Sequence, residues 1–219
     1  TRLFINYGPT VQVKNPSKDV EILHSWRSTK VWDGPLIVLV NKYSASASEI
    51  FAGAMQDYNR GIVVGQTTFG KGSVQRFTTT DNGQIKYTDS LYYRITGLPT
   101  QLYGIKPNLI IPSLIADDAL GESEYDNAIK PNNIDDAYFV TYENFDTGLL
   151  ENSFQKRISD SAYFKKIDEI KKQRESNLFL SLNLDERREI KESDMENTLE
   201  LINFGRTLSG KENFTSFKE

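Results

Sequence analysis

Two side chains in the first third of the chain have the chemistry to cleave an amide bond together. Ser46 lies among small residues in the run Ser44-Ala45-Ser46-Ala47-Ser48-Glu49, and Lys71 lies between two glycines. A serine hydroxyl becomes a nucleophile when a base takes its proton, and a lysine is such a base when its surroundings favour the neutral amine. The two residue types therefore predict acyl transfer, provided that the fold brings them together.

The elements around Ser46 place its hydroxyl at the edge of a sheet. The apolar run 36–40 predicts a strand that is covered on both faces, and apolar residues at helical spacing predict a helix over 47–58. A serine at such a strand-to-helix turn is open to a substrate, and the N–H of Ala47 can stabilise the developing oxyanion. The same run is also a capping box with Glu49 as its acidic member, so a purely structural role for Ser46 stays open.

Lys71 is predicted to lie on a glycine-bearing loop, 66–72, between two strands, the second of which covers 73–77. The stretch from Gly65 to Lys71 also fits the opening of a phosphate-binding loop, which makes a nucleotide hydrolase an alternative. Such a loop requires Ser or Thr where Gly72 stands, and a helix where this sequence predicts a strand. Nucleotide hydrolysis is therefore the weaker interpretation of the loop.

The composition excludes several other kinds of site. The chain has 219 residues, no cysteine and one histidine, His24, which has no acidic partner at a telling spacing. A Ser-His-Asp triad, thiol catalysis and cysteine-ligated metals are therefore not predicted, and no metal, nucleotide or other cofactor is implied. The net charge of -4 gives no sign of a nucleic-acid surface, and the longest apolar run is too short to span a membrane.

The chain divides by composition into three parts. Residues 1–115 alternate strand and helix patterns as a mixed α/β domain does, residues 116–150 form an acidic linker that we expect to be solvated, and residues 151–219 are mainly helical. Within the last part, an apolar stripe indicates one helix from Glu151, and a second helix is predicted over 185–208. Further strands are predicted over 3–5, 11–13, 84–96 and 104–112.

Several motifs in the α/β part together closely resemble those of the tail-specific, or C-terminal processing, proteases. They are the Ser-Ala-Ser-Ala-Ser-Glu-Ile run that holds Ser46, the stretch 54–58, the strand residues 63–65 and the Phe-Gly-Lys-Gly-Ser-Val-Gln loop that holds Lys71. The motifs occur in the family's order and at its spacing. Residues 116–219 are similar to the helical C-terminal extension of the long, periplasmic branch of the family. The resemblance implies a crotonase-like α/β core for the first part of the chain.

The resemblance assigns roles to individual residues. It implies a serine endopeptidase with a Ser/Lys dyad, in which Ser46 is the nucleophile and Lys71 is the neutral base. By the same resemblance Gln75 orients Lys71, and Asp57 matches a family position that is tied to activity. Ala47 keeps the oxyanion role that the turn predicts.

The resemblance also implies partners and a location. The substrates would be proteins or peptides with apolar C-terminal tails, captured with the help of an upstream PDZ-like domain, and the protein would lie in the periplasm or cell envelope. A glycine-rich segment is expected before Thr1, where it would supply a second oxyanion donor and a strand. Without that segment we expect these residues to be inactive by themselves, or to complete their sheet by self-association. A catalytically silent binding module on the same fold is the main alternative.

Overall fold

A computed structural model of the chain describes residues 1–17, 19–26, 29–115, 120–143, 147–176 and 181–216. The chain has a mixed α/β composition and divides into two compact units. Unit 1 consists of Thr1–Ile111 and Ile115–Glu151, and unit 2 consists of Pro112–Leu114 and Asn152–Glu219. The regular elements among the described residues are, in chain order, β1 (Tyr7–Lys14), β2 (Val20–Trp26), β3 (Ile37–Val40), α1 (Ala47–Asp57), β4 (Ile62–Gly65), β5 (Ser73–Thr80), β6 (Gly83–Tyr93), β7 (Leu109–Ile110), a 3-10 turn (Glu122–Glu124), α2 (Thr147–Asp160), α3 (Ala162–Ser176) and α4 (Leu184–Leu208).

The strands of unit 1 form two sheets, and α1 packs against strands β3 and β4 of one of them. One sheet is antiparallel with the strand order β2-β1-β6-β5, and the other is parallel with the order β3-β4-β7. Val40 of β3 and Val63 of β4 pack with Ala52 of α1 in a buried cluster. The turn that enters α1 and the loop that leaves β4 therefore start from neighbouring parallel strands.

Strand β3 differs from the prediction of a strand covered on both faces. Val40 is buried, but Ile37 is 63% and Leu39 is 75% exposed. Side chains alternate across a strand, so the residues that face α1 are packed and those between them point away from it. An apolar run does not show which faces of a strand are covered, so the sequence pattern did not reveal that a single face of β3 is packed.

The helix predicted over 47–58 is confirmed to within one residue. It ends because Asn59 adopts a left-handed backbone conformation with φ 52°, which a helix cannot continue. The N–H groups of Arg60 and Gly61 then turn back to the carbonyl oxygen of Met55, at 2.9 and 3.4 Å. Met55 is fully buried in the main core cluster of unit 1. The ends and the buried face of α1 are thus both fixed by tertiary contacts.

The strand predicted over 3–5 is wrong. Residues 2–4 form a turn in which the N–H groups of Phe4 and Ile5 donate to the Thr1 carbonyl, at 2.9 and 3.2 Å. Ile5 is buried beside α1, so its apolar character serves the core and not a sheet. The strand predicted over 104–112 shrinks to the two residues of β7, which Pro107 and Pro112 flank without any N–H to donate.

The acidic segment is more closely attached to unit 1 than the expected solvated linker. The N–H groups of Ala137 and Tyr142 donate to the carbonyl oxygens of Ile95 and Tyr58, both at 2.8 Å. Ala137 is buried, and the rings of Phe139 and Tyr142 pack against the main core cluster. Residues 116–119 and 144–146 of the predicted linker lie outside the described residues, and its predicted boundaries stay a prediction.

Unit 2 is helical, as the pattern predicted. Its first helical stretch is two helices, because α2 ends at Asp160 and α3 begins at Ala162, whereas α4 matches the helix predicted over 185–208. Ile167 and Ile170 of α3 form a small buried cluster with Leu201 of α4. The apolar stripe continues across Ser161, so the sequence pattern did not predict a break there.

Candidate active site

Ser46 lies at the N-terminus of α1 in a backbone conformation that few residues other than glycine adopt. Its φ is 57° and its ψ is -117°. Such a conformation costs about 1–3 kcal/mol and persists where the surroundings enforce it. The N–H of Ser46 donates to the Glu49 carboxylate at 2.8 Å, and its carbonyl accepts the Glu49 and Ile50 N–H groups at 2.9 and 3.1 Å. The strained turn leaves the Ser46 side chain half-exposed.

Lys71 lies on the loop between β4 and β5, as the sequence predicted. Gly70 before it has φ 87°, a left-handed conformation that favours glycine. A side chain at Gly72 would meet the backbone nitrogen of Gln101 at 2.5 Å. The two glycines therefore allow the loop to turn sharply and to approach another backbone closely. Lys71 itself is half-buried.

The Glu49 carboxylate connects the serine turn to the lysine loop. One oxygen accepts the N–H groups of Ser46 and Lys71, at 2.8 and 2.9 Å, and the other accepts the Thr68 hydroxyl and the Gly70 N–H, at 2.5 and 2.6 Å. Glu49 is completely buried. Burial raises the pKa of this carboxyl above its ordinary value, although its four hydrogen bonds favour the charged form. Glu49 caps α1 as predicted, and it also holds the loop.

The catalytic pair itself stays a prediction. In the part of the chain that the structure describes, no hydrogen bond joins the Ser46 hydroxyl to the Lys71 amine. Gln75 lies on β5, is exposed and sits at a register shift in the pairing with β6. Among the described residues its side chain has no hydrogen bond to Lys71. Ala47 is exposed, and its N–H has no backbone acceptor within these residues.

Asp57 lies at the other end of α1 and is bound to Arg94. Its side chain is 3% exposed, and both of its oxygens accept hydrogen bonds from the Arg94 guanidinium, which also binds the Gln56 amide oxygen at 2.9 Å. Burial raises the pKa of Asp57, while Arg94 acts in the opposite direction. The structure therefore places Asp57 in an ion pair and not beside Ser46.

The structure also describes the residues of the alternative sites that the sequence raised. His24 is exposed on β2, where Nδ1 lies 2.9 Å from the Ile22 carbonyl and the ring rests near Trp26. The residues after Gly72 form β5, so the predicted strand is confirmed at the point where a phosphate-binding loop needs a helix.

No group of three or more His, Cys, Asp or Glu side chains among the described residues could hold a metal ion. None of the described helices combines the length and apolar character that crossing a bilayer requires.

A cleft of about 440 Å³ lies beside the serine turn. It is bounded by the antiparallel sheet and by Ile50, which lies one helical turn after Ser46. The hydroxyl of Tyr92, another lining residue, lies 3.1 Å from the Ser46 carbonyl oxygen. The remaining lining includes apolar residues, among them Val13, Leu23 and Val74, and the charged residues Asp19, Glu21, Arg76 and Asp89.

Sequence reasoning missed two residues that organise this region. Glu49 was recognised only as a cap, because the capping-box pattern explains its presence without any distant contact. Tyr92 was one of several aromatic residues in an alternating strand pattern, which carries no signal of what a hydroxyl will contact. The contact of Glu49 with Gly70 spans 21 residues of sequence and that of Tyr92 with Ser46 spans 46, and no local motif records either of them.

Comparisons with known proteins give independent information on both units. Residues 1–111 match Peptidase family S41, and residues 115–219 match the C-terminal domain of tail specific protease. A tail-specific protease of Haemophilus influenzae is 34% identical over 218 residues, which are 92% of this chain and 31% of that relative. A carboxy-terminal-processing protease of Bartonella bacilliformis is 38% identical over 138 residues, covering 59% of this chain and 32% of that relative.

Among solved structures, the photosystem II D1 C-terminal processing protease is similar at 30% identity. It covers 52% of this chain and 30% of its own length, with a TM-score of 0.48. The chain spans about a third of the length of the two curated relatives named above. The S41 match covers 111 of the 219 residues, which is just over half. As the resemblance to tail-specific proteases predicted, this chain belongs to peptidase family S41.

Proposed function

We propose that the protein containing this chain is a serine endopeptidase that uses a Ser/Lys dyad to process or degrade proteins recognised by their C-terminal tails. The observation that carries the proposal is the buried Glu49 carboxylate, one oxygen of which accepts the N–H groups of both Ser46 and Lys71. This shared acceptor keeps the two predicted catalytic segments side by side. Membership of the S41 family and the protease names of the relatives support the same reaction.

In the proposed reaction the Ser46 hydroxyl oxygen attacks the peptide carbonyl, and its proton passes to the neutral amine of Lys71. The N–H of Ala47 stabilises the resulting oxyanion, and Gln75 orients Lys71 once substrate is bound. The C–N bond then breaks, and the proton on Lys71 passes to the leaving amine. Water hydrolyses the acyl-enzyme ester with Lys71 again as the base, which returns Ser46 to its starting state.

The cleft beside the serine turn is the proposed binding place for a substrate side chain near the scissile bond. The apolar residues that line the cleft favour an apolar side chain, since burial of such a side chain contributes about 1.5–3 kcal/mol. The carboxylates of Asp19 and Glu21 disfavour an acidic side chain, since Arg76, the cation in this lining, is already paired with Asp89. This preference agrees with substrates whose C-terminal tails are apolar.

Several parts of the proposal rest on the family resemblance. They are a crotonase-like core for unit 1, an upstream PDZ-like domain that captures substrate tails, and a location in the periplasm or cell envelope. Self-association is proposed on a different ground. Strands β2 and β5 each have one unpaired edge in the described sheet, and an open edge can pair with another chain.

The decisive test is substitution of each proposed catalytic residue in the natural gene product that contains this chain. Ser46→Ala and Lys71→Ala should each reduce cleavage of an unstructured peptide with an apolar C-terminus to background. The double variant should be no worse than either single one, because residues that act as a unit lose activity non-additively. His24→Ala is the control and should keep nearly full activity.

The same variants separate the protease from a silent binding module. A fluorophosphonate probe labels only an activated serine, so wild type should be labelled and Ser46→Ala should not. Substantial proteolysis by Lys71→Ala would contradict the lysine base. A large loss in His24→Ala would contradict the dyad.

A further inference from the structure

Tyr92 of β6 touches both predicted catalytic segments. Its ring is buried, and its hydroxyl oxygen lies between the carbonyl oxygens of Ser46, at 3.1 Å, and Lys71. Its backbone N–H donates to the Gly72 carbonyl at 2.9 Å. A phenol has one proton and donates it to one carbonyl at a time, but in either case its oxygen remains between the two segments. One residue of the sheet thus holds the serine turn and the lysine loop together.

The contact with Ser46 fixes the direction of the proposed oxyanion donor. The carbonyl of Ser46 and the N–H of Ala47 belong to the same planar peptide group and point in opposite directions across it. The Glu49 and Ile50 N–H groups also donate to this carbonyl, but they belong to α1 and move with it. Among the described residues, Tyr92 is the donor from outside the helix. Its hydroxyl therefore sets the orientation of the Ser46–Ala47 peptide relative to the sheet.

The strained conformation of Ser46 makes this support necessary. A residue at φ 57° relaxes unless groups on both of its sides are held. The Glu49 carboxylate holds the N–H of Ser46, and the Tyr92 hydroxyl reaches its carbonyl. Burial raises the pKa of Tyr92, with a further contribution from the charge of Glu49, so the phenol keeps the proton that it donates.

We propose that Tyr92 is a positioning residue of the active site: its hydroxyl aims the Ala47 N–H at the oxyanion and keeps Lys71 beside Ser46. The inference rests on the proposed function, since it assigns a role within that reaction. Tyr92 does not touch the substrate carbonyl in this role. It acts through the Ser46–Ala47 peptide and the backbone of the lysine loop.

The test compares Tyr92→Phe with Tyr93→Phe in the natural gene product. Both residues are buried on β6, and the neighbouring Tyr93 faces the opposite side of the sheet. Loss of the Tyr92 hydroxyl should lower kcat on the order of tenfold to a hundredfold, because a misdirected oxyanion donor acts mainly on the transition state. KM should stay within about twofold of wild type. Affinity for a peptide aldehyde, which forms a tetrahedral adduct, should fall in parallel with kcat/KM, and Tyr93→Phe should change none of these quantities.

A second measurement does not depend on activity. Amide hydrogen exchange should accelerate in residues 44–50 and 69–73 of Tyr92→Phe, and should stay at the wild-type rate there in Tyr93→Phe. An unchanged kcat with unchanged exchange would overturn the inference, as would an equal loss in both variants. Ser46→Ala distinguishes a failure of the proposed function from a failure of the role proposed for Tyr92. If that variant still cleaves peptides, the proposed function fails, whereas an inactive Ser46→Ala beside a fully active Tyr92→Phe removes only the role of Tyr92.

Discussion

The two ends of α1 each carry a buried carboxylate, but the two carboxylates are stabilised by different kinds of partner. Glu49 at the first turn accepts hydrogen bonds from uncharged groups in the serine turn and the lysine loop. Asp57, at the last residue of the helix, is paired with the guanidinium of Arg94. The two residues are separated by roughly 12 Å along the helix, given a rise of about 1.5 Å per residue.

The difference shows that a residue linked to activity by a motif need not lie beside the predicted nucleophile, Ser46. Asp57 resembles a family position tied to activity, but its partners, Arg94 and Ile95, fasten the end of α1 to the residues that follow β6. Glu49 caps α1 as expected, and it also accepts hydrogen bonds from the Thr68 hydroxyl and from the N–H groups of Gly70 and Lys71 in the lysine loop. We infer that Asp57 acts mainly on stability and that Glu49 acts mainly on the geometry of the site.

The largest effect on stability should come from Asp57→Ala. This change leaves the Arg94 guanidinium, whose side chain is 16% exposed, without its carboxylate. Removing one partner of a buried ion pair costs about 3–5 kcal/mol. The midpoint of urea unfolding should fall accordingly, while the fraction that is still folded keeps its specific activity. A variant that unfolds like wild type and is inactive would instead assign Asp57 to the chemistry.

Glu49→Gln should have a smaller effect on stability and a much larger effect on activity. The amide offers one oxygen and places an NH₂ group against N–H donors, so at least two hydrogen bonds are lost. Two hydrogen bonds to a charged group contribute about 3–6 kcal/mol, but the variant no longer carries a buried charge, and this offsets part of the loss. We expect a stability loss of about 2–3 kcal/mol and a fall in kcat on the order of a hundredfold.

Glu122→Gln is the matched control for Glu49→Gln. Within the ranges that the structure describes, its half-buried carboxylate accepts one side-chain hydrogen bond, from the Gln101 amide at 2.8 Å. Its effect on unfolding should stay below about 1 kcal/mol, with normal kcat. Equal effects of the two changes on kcat would contradict the role given to Glu49.

Arg94→Lys sharpens the comparison from the other side of the ion pair. Lysine keeps the charge but cannot form the two-pronged contact with Asp57 while also binding Gln56. We expect a loss of about 1–2 kcal/mol in unfolding free energy and an unchanged pH dependence of kcat. Circular dichroism during urea unfolding measures the first quantity. A changed pH profile of kcat would show that this end of α1 communicates with the site.

The smallest effect should be a pH dependence of stability. The raised pKa of Glu49 means that the folded state binds this proton more tightly than the unfolded state. Stability contributed by Glu49 is therefore fully present below the unfolded pKa, and is lost as the pH rises through the higher folded pKa. The free energy of unfolding of wild type should decline over this range relative to that of Glu49→Gln, and kcat should fall where Glu49 becomes protonated. A wild type that gains stability relative to Glu49→Gln would show that the donors outweigh burial.

Elements with strong local periodicity could be predicted, and those that depend on distant partners could not. Helices α1 and α4 follow from apolar residues at helical spacing, and Ser46 and Lys71 stand out through their small neighbours. The turn at residues 2–4 was mistaken for a strand because a short apolar run looks the same in either state. The exposed face of β3 was missed because a strand's own residues do not state which of its two faces another element will cover.

The sequence by itself determined which groups could do chemistry: a serine among small residues, a lysine between glycines and a helix that starts after the serine. Only the tertiary structure decided how Ser46 and Lys71 are held, through a carboxylate and a phenol that each reach both segments. The reason is physical. These two side chains bind backbone N–H and carbonyl groups, which nearly every residue carries, and the chain must fold before it is settled which of them a given side chain will meet.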